Sequence, residues 1–367
     1  MVILKDNILI GILGGGQLAM MMVEMSAKLK HIEFIVVDPS DSPPASKVAN
    51  CIKSEFDNKE VLDKLINECS MVTIDFENVP AETLKYLEKK IPVYPGSYAV
   101  SICQDRLKEK NLFNKSNVPS TPYEKVDSLE QLENAVNIIG RDSILKSRTL
   151  GYDGKNQQFI GENKLDEIWN ISGRKSSILE KKVNFKTEVS LIGINTHDGE
   201  KIFYPLVENF HNNGILNYSI APYKNETLQK KAESFYINIS NSLNYVGVLV
   251  IEFFIDSNDN LIANEMAPRV HNSGHWTNEG ANINQFEAHI SAISGKKVNE
   301  IKLSENSAMI NILSKMPKNI LSYDKSIKVY DYGKKERMNR KIGHLSFISK
   351  DRKTLLKKVE SIKKIIF

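Results

Sequence analysis

The 367-residue sequence predicts a mixed fold, an α/β domain followed by α+β domains, and two patterns support this prediction. Over the first hundred residues, short apolar runs such as NILIGIL, EFIVVD, ANCIKS and MVTIDFE alternate with helical stretches such as KEVLDKLINE. That alternation is typical of a parallel sheet with helices on both faces. Beyond residue 186 strand follows strand, and GVLVIEFFIDSNDNLIANEMAPR predicts a β-hairpin that turns at Ser-Asn-Asp-Asn.

The domain boundaries follow from these patterns. We expect a Rossmann-like domain over residues 1–105, including a strand at IPVYP, and a central domain over 106–298 with a subdomain at about 118–185. Residues 299–367 predict a small β-rich domain, in which SAMINIL, SIKVYDY and IGHLSFIS form a small sheet closed by a tail helix.

Composition limits the classes of partner. The 49 basic and 45 acidic residues leave a formal net charge of only +4, so nucleic acid is not an expected partner. No apolar run reaches the ~18 residues of a membrane span. Three scattered cysteines without metal-binding spacing are typical of a reduced compartment. We therefore expect a cytoplasmic protein that acts on small molecules, without membrane or nucleic-acid partners.

The segment GILGGGQLAM follows the first predicted strand and contains Gly14-x-Gly16-x-x-Ala19. A second strand ends at Asp38, so the spacing matches the dinucleotide fingerprint, with alanine in the third glycine position. On this motif alone, a nicotinamide- or flavin-dependent oxidoreductase would be favoured. A glycine turn at a helix N-terminus also predicts an anion site.

The hairpin predicts a metal site. If its turn is centred between Asn258 and Asp259, Glu252 lies directly opposite Glu265, with Cβ atoms about 4.5–5.5 Å apart. Two opposed carboxylates repel, and Mg²⁺ held by one or two carboxylates plus nucleotide phosphates would offset that repulsion. Asn264 could add an oxygen ligand. Two alternatives remain open: the pair faces solvent, or one glutamate is ion-paired.

Three further segments carry polar chemistry. In LKSRTLGYDGKNQ, Lys146 ends a strand and a glycine loop with Lys155 follows, which favours phosphate binding, although a surface hairpin is the alternative. ILEKKV can present backbone groups to an adenine edge, or it is a simple strand exit. APRVHNSGHWT crowds Arg269, His271 and His275 into a few positions after the hairpin, which indicates an anion or sugar pocket.

Together and in this order, the four segments resemble the ATP-grasp ligases. GGGQLA, DFENVP, GYDGKNQ, FYPLVENFHNNGIL, NEMAPRVHNSGHWT and RKIGHLSF resemble the 5-(carboxyamino)imidazole ribonucleotide synthase family, from residue 11 to about residue 347. One departure is Asn156, near which the family pattern has a second glycine. Asparagine tolerates left-handed backbone geometry better than most residues.

The resemblance implies a set of site residues. Those implied to contact ATP are Arg106, Lys146, Gly151, Tyr152, Asp153, Gly154, Lys155, Asn156, Gln157, Glu180, Lys181, Lys182, Val183, Glu188, His211, Asn264 and Glu265. Mg²⁺ would be held by Glu252 and Glu265. Candidates for the ribonucleotide substrate are Gln17, Leu18, Glu77, Tyr152, Asp153, Arg269, His271, Asn272, Ser273, Lys334, Arg340 and Lys341.

The implied reaction is the ATP- and bicarbonate-dependent carboxylation of 5-aminoimidazole ribonucleotide, through carboxyphosphate, in a homodimer. Arg269 would hold bicarbonate or carboxyphosphate, and His271 or Asp153 would accept the amine proton. Residues 14–18 then become a docking edge for the ribonucleotide, and Asp38 an ordinary strand-end residue. The alternatives are a formate-dependent glycinamide ribonucleotide transformylase-like ligase, a nicotinamide-dependent oxidoreductase, and a nucleotide-binding regulator without turnover.

Overall fold

The computed structural model describes residues 7–151, 156–317 and 324–366. The first domain contains a parallel sheet in the order β3-β2-β1-β4. Its strands are β1 (Ile8–Leu13), β2 (Ile32–Asp38), β3 (Asn50–Lys53) and β4 (Met71–Ile74). Its helices are α1 (Gln17–Met25), α2 (Lys59–Glu68), α3 (Ala81–Glu88) and α4 (Ser97–Cys103). The predicted alternation of strand and helix is thereby confirmed.

The prediction of a strand at IPVYP is wrong, because this segment forms only an isolated bridge, between Val93 and Val72. Pro92 and Pro95 lack the backbone N–H that a longer ladder needs.

The next segment folds into a separate antiparallel sheet in the order β5-β8-β6-β7. It follows α5 (Arg106–Lys115) and consists of β5 (Tyr123–Val126), α6 (Leu129–Ile139), β6 (Ser143–Ser147), β7 (Gln157–Phe159), α7 (Leu165–Ile171) and β8 (Ser177–Lys181). These elements occupy the stretch that we assigned to a subdomain at about 118–185, and we call them the lid.

A nine-stranded sheet forms the rest of the chain, in the order β14-β13-β9-β11-β12-β15-β17-β16, with β10 paired to β9. Its strands are β9 (Phe185–Asn195), β10 (Lys201–Phe203), β11 (Val207–Asn212), β12 (Ile215–Ala221), β13 (Gly247–Asp256), β14 (Leu261–Ala267), β15 (Asn306–Leu313), β16 (Lys328–Asp331) and β17 (Lys341–Ser349). The helices are α8 (Glu226–Ser242), α9 (Thr277–Gly280), α10 (Gln285–Ile293) and α11 (Arg352–Ile366).

The three C-terminal strands form as predicted, but they do not make a small sheet of their own. β15 pairs with β12 of the central domain, so the C-terminal region extends the central sheet. This continuity brings the residues that precede β17 close to the hairpin strands.

Both faces of the large sheet are buried, because its side chains alternate between two hydrophobic cores. Ile192 and Val250 pack on the side of α10 and of the methionine-rich helix α1. Leu191 and Leu249 pack on the side of α8. The N-terminal domain is therefore held against the central sheet by α1. No helix in the described part of the chain is both long and apolar enough to cross a membrane.

Candidate active site

The β13–β14 hairpin places two glutamates side by side. Glu252 is paired with Glu265, which confirms the predicted juxtaposition. The turn itself is centred half a residue earlier than predicted, because Phe254 pairs with Ile262. A β-bulge between Glu252 and Phe253 shifts the register by one residue and restores the pair.

The two carboxylates have different electrostatic environments. Burial, and then the neighbouring Glu265, raise the pKa of Glu252 to about 7. Burial alone would also raise the pKa of Glu265, but Arg106 lowers it, with its Nη1 3.0 Å from Glu265 Oε2. One glutamate is therefore ion-paired, as one of our alternatives had it, and the other holds its proton more tightly than an exposed glutamate does.

This donor set fits a divalent cation with oxygen ligands. The Arg106 guanidinium pairs with only one of the two facing carboxylates, so a cation between them would relieve the repulsion that, after burial, raises the pKa of Glu252. The described residues contain no group of three or more His, Cys, Asp or Glu side chains able to hold a metal. Phosphate oxygens or water would therefore complete the coordination shell.

A buried ion cluster joins the lid to the hairpin. Lys146 Nζ lies 2.7 Å from Glu180 Oε2, and Lys110 Nζ lies 3.8 Å from the same oxygen. Burial alone would raise the pKa of Glu180, but the two lysines lower it to about 2. Lys110 also donates to the Asn264 carbonyl at 2.7 Å. Sequence reasoning missed Lys110, because a lysine in the polar helix α5 has no local signal of burial.

The strand exit at ILEKKV has most of its backbone groups occupied. Lys181 N–H donates to Pro122 O at 2.9 Å, and Lys181 O accepts from Thr121 Oγ1 at 2.6 Å. Lys182 N–H donates to Asp142 O. Within the described residues, the Val183 N–H has no acceptor. Val183 is therefore the member of this segment with a donor left for a ligand.

The glycine loop begins beside Arg106. Arg106 Nη2 donates to Gly151 O at 3.4 Å, and a Cβ at Gly151 would lie 3.2 Å from the same nitrogen. Asn156 has a φ of 58°, so asparagine adopts the left-handed conformation expected for it. Gln157 begins β7. Four further predicted loop residues lie outside the described part of the chain: Tyr152, Asp153, Gly154 and Lys155.

Glu188 and His211 lie close together on β9 and β11. Glu188 Oε2 is 3.1 Å from His211 Nδ1. Burial lowers the pKa of His211, but Glu188 and Glu252 more than offset this effect and raise it. The two glutamates therefore favour the charged form of this imidazole.

A cleft of about 1090 Å³ lies where the three regions of the chain meet. Most of the described substrate candidates line it, namely Gln17, Leu18, Glu77, Arg269, His271, Asn272, Lys334, Arg340 and Lys341. Arg106, Gly151, Glu252 and Glu265 line it as well, so the expected nucleotide and ribonucleotide ends share one cavity. Ser273 is the exception: it is fully buried and does not line the cleft.

Arg269 and His271 are fixed by neighbouring groups. Arg269 Nε donates to Glu77 Oε2 at 2.5 Å. Ser273 N–H points at His271 Nδ1 at 3.3 Å, and His271 Nε2 lies 3.4 Å from Glu252 Oε1. Burial, and then the positive charges of Arg269 and Lys341, lower the pKa of His271 well below 6.5. The imidazole is neutral, and Ser273 orients it instead of facing the substrate.

Residues 334–341 give the cleft a cationic wall. Lys334, Arg337, Arg340 and Lys341 all line it. Burial, and then Arg340, lower the pKa of Lys334 to about 8. Arg337 was not among the predicted residues, although it stands in the basic run GKKERMNRK that contains the other three.

Comparison with known proteins decides the family. The ribonucleotide synthetase preATP-grasp domain matches residues 8–104, the ATP-grasp domain residues 111–286, and the phosphoribosylaminoimidazole carboxylase C-terminal domain residues 307–358. The N5-carboxyaminoimidazole ribonucleotide synthase of Pseudomonas aeruginosa is 38% identical over 97% of this chain and 99% of its own. The chain belongs to the N5-carboxyaminoimidazole ribonucleotide synthase family.

Solved structures of the family agree. The synthetase from Thermus thermophilus is 38% identical, with a TM-score of 0.92 over 97% of this chain and 98% of that chain. The Staphylococcus aureus synthetase complexed with ADP is 34% identical, with a TM-score of 0.93 over 98% and 97% of the two chains. The predicted fold and the prediction of an ATP-using ATP-grasp ligase are confirmed, and the carboxylase is supported over the formate-dependent alternative.

Membership of the N5-carboxyaminoimidazole ribonucleotide synthase family sets aside the oxidoreductase suggested by the glycine spacing, and the structure explains that spacing. Asp75 accepts from the N–H groups of Gly16 at 2.5 Å and Ala19 at 2.9 Å. Asp38 accepts from Gly15 N–H at 2.7 Å, so it is not an ordinary strand-end residue. Two internal carboxylates thus occupy loop amides that we expected an external anion to use, and a Cβ at Gly16 would overlap Asp75. Only the docking edge formed by the Gln17 and Leu18 side chains remains at the cleft.

Proposed function

We propose that this chain carboxylates 5-aminoimidazole ribonucleotide with ATP and bicarbonate, forming N5-carboxyaminoimidazole ribonucleotide in purine biosynthesis. The observation that carries the proposal is the shared cleft. The Glu252–Glu265 pair with Arg106 and the cationic wall of residues 334–341 both line it. A nucleoside triphosphate and a ribonucleotide can therefore approach each other within one cavity.

The first step transfers the γ-phosphoryl group. A bicarbonate oxygen attacks the γ-phosphorus, the bond from that phosphorus to the β–γ bridging oxygen breaks, and ADP leaves. In this proposal, Lys146, Arg106 and the loop residues Gly151, Tyr152, Asp153, Gly154, Lys155, Asn156 and Gln157 contact ATP, together with Glu180, Lys181, Lys182, Val183, Glu188, His211 and Asn264. Their cations neutralise charge on the transferring group, so catalysis rests on positioning and electrostatics.

Glu252 and Glu265 would hold Mg²⁺, the divalent cation that commonly accompanies nucleotide phosphates. When bound, it would supply positive charge to the phosphate oxygens. Arg106 supplies positive charge to Glu265 alone, with its Nη1 3.0 Å from that carboxylate.

The second step forms the carbon–nitrogen bond. The exocyclic amine attacks the carbonyl carbon of carboxyphosphate, or the CO₂ released from it, and inorganic phosphate leaves. Arg269, held by Glu77, lies where it can bind the carboxylate portion. The glycine loop would close over the intermediate and exclude water.

The amine proton needs an acceptor, and the two candidates are His271 and Asp153. Ser273 N–H lies 3.3 Å and Ser273 Oγ 2.9 Å from His271 Nδ1, and Glu252 Oε1 lies 3.4 Å from Nε2, an arrangement that favours the neutral tautomer with its proton on Nε2. In that tautomer Nε2 is a donor, which can hydrogen-bond to a carboxylate oxygen but cannot accept a proton. We therefore assign the accepting role to Asp153, and we assign His271 to hydrogen bonding of the carboxyl group.

Further parts of the proposal concern setting and assembly. We propose a cytoplasmic homodimer that acts on small molecules, without membrane or nucleic-acid partners. Its modest net charge of +4 and the absence of a spanning helix from the described residues support this setting.

A substrate panel tests the function. ADP release is measured with ATP and Mg²⁺ in the presence of aminoimidazole ribonucleotide plus bicarbonate, or glycinamide ribonucleotide plus formate. We expect release with the first pair, and loss of release in Glu265→Gln. Release only with the second pair would replace the carboxylase by the transformylase, and ATP binding without turnover under either condition would indicate a regulator.

A further inference from the structure

A buried glutamine outside the cleft holds the main chain of His271. Gln285, the first residue of α10, is fully buried. Its Oε1 accepts from His271 N–H at 2.9 Å, and its Nε2 donates to His271 O at 2.7 Å. One side-chain amide therefore binds both main-chain groups of a cleft residue, whose carbonyl also accepts from Gly274 N–H at 3.0 Å.

The backbone and the side chain of Gln285 are both fitted to the turn that contains Gly274. Its own backbone N–H donates to Thr277 Oγ1 at 3.0 Å, and that hydroxyl donates to Gly274 O at 2.6 Å. Gly274 leaves the space that the amide fills, because a Cβ there would lie 2.8 Å from Gln285 Nε2 and closer still to its Oε1. Glycine at this position is therefore required by the amide and not by backbone dihedral angles.

The next residue, Asn272, is also held by a buried side-chain amide, here from strand β15. Asn272 Nδ2 donates to Asn311 Oδ1 at 3.0 Å, and Asn311 Nδ2 donates to Asn272 Oδ1 at 2.7 Å. Asn311 is fully buried on β15. Because its amide is engaged on both sides, Asn272 contributes a fixed surface to the cleft.

We propose that Gln285 is a positioning residue for the ribonucleotide half of the reaction. The inference rests on the proposed function, since it concerns the substrate that His271 and Arg269 would bind. Its amide fixes the peptide from which the His271 ring reaches to within 3.4 Å of Glu252. Among the described residues Gln285 makes no hydrogen bond to Lys146, Glu180 or Lys110, so we expect its loss to impair the ribonucleotide end more than ATP binding.

Gln285→Met removes both hydrogen bonds at nearly constant side-chain shape. We expect kcat/KM for aminoimidazole ribonucleotide to fall about 10- to 100-fold, as misplacement of substrate-positioning groups does, while KM for ATP stays within about twofold. The matched control is Gln229→Met. Gln229 holds Leu206 N–H at 2.7 Å and Tyr204 O at 3.2 Å in the same bidentate manner, and none of these residues lines the cleft.

Gly274→Ala perturbs the same pair of hydrogen bonds without changing Gln285. It replaces Gln285→Met as the test variant if Gln285→Met does not fold. Its methyl group would push the Gln285 amide away from His271, so the double variant should lose little more than either single variant. A loss equal to that of Gln229→Met, a loss shared by both substrates, or additive losses would overturn the inference. If the wild-type protein has no turnover with aminoimidazole ribonucleotide, the proposed function fails instead.

Discussion

Glu252→Gln should stabilise the metal-free protein, and increasingly so as the pH rises. Burial and the facing Glu265 raise the pKa of Glu252 from 4.5 to about 7. The folded chain therefore binds this proton more tightly than the unfolded chain, and it loses stability as the pH rises from 4.5 through 7. Each pKa unit corresponds to about 1.36 kcal/mol, so the rise corresponds to about 3 kcal/mol at alkaline pH.

Glutamine has nearly the shape of glutamate without its charge, so the Glu252→Gln variant does not lose unfolding free energy at this position as the pH rises. The assay is urea-induced unfolding of both proteins in metal-free buffer between pH 4.5 and 8.5, since the contributions of groups distant from Glu252 cancel in the difference. The difference in unfolding free energy should grow by about 3 kcal/mol over that interval. Glu162→Gln, at an exposed position of the lid, is the control and should give a constant difference.

Addition of Mg²⁺ and ATP completes the test. A cation bound between the carboxylates lowers the pKa of Glu252, so the advantage of Glu252→Gln at alkaline pH should disappear. A stability difference that does not vary with pH would refute the reasoning about the buried pair. A difference that persists unchanged with Mg²⁺ and ATP would refute the metal assignment.

Three further predictions follow from the structure. Gly16→Ala should destabilise the first domain by about 1–3 kcal/mol in urea unfolding, because its Cβ meets the helix-capping carboxylate, whereas Gly11→Ala should be tolerated; equal effects would contradict this. Lys110→Met should cost about 1–3 kcal/mol, because Lys146 still pairs with Glu180, and the double variant Lys110→Met with Lys146→Met should lose more than the sum of the single losses, because Glu180 then has neither lysine; additive losses would disprove the shared pairing. Affinity for aminoimidazole ribonucleotide, measured by calorimetry, should fall as the pH rises through about 8, where Lys334 loses its proton, and Lys334→Met should abolish that component.

Periodic patterns made part of this structure predictable. The alternation of strand and helix identified the parallel sheet, and the period of two residues along β13 and β14 placed Glu252 opposite Glu265. The bulge beside Glu252 was not visible in the sequence. It was harmless to the prediction because it offset an equal error in the turn centre.

Contacts between distant segments were not predictable from local pattern. Asp75 ends a strand 59 residues away from Gly16, so nothing near the glycine loop shows that its amides are already occupied. Lys110 is buried only because α5 lies between β14 and the lid. The pairing of β15 with β12 likewise joins segments that the sequence presents as separate domains.

In the proposed reaction, ATP activates bicarbonate before the ribonucleotide amine attacks it. The most direct measurement uses ¹³C,¹⁸O-labelled bicarbonate with ATP, Mg²⁺ and aminoimidazole ribonucleotide, followed by NMR and mass analysis of product and phosphate. We predict ¹³C on the exocyclic nitrogen of the product and one ¹⁸O atom in each inorganic phosphate released, because a bicarbonate oxygen attacks the γ-phosphorus. Phosphate without ¹⁸O, formed alongside labelled product, would contradict the mechanism.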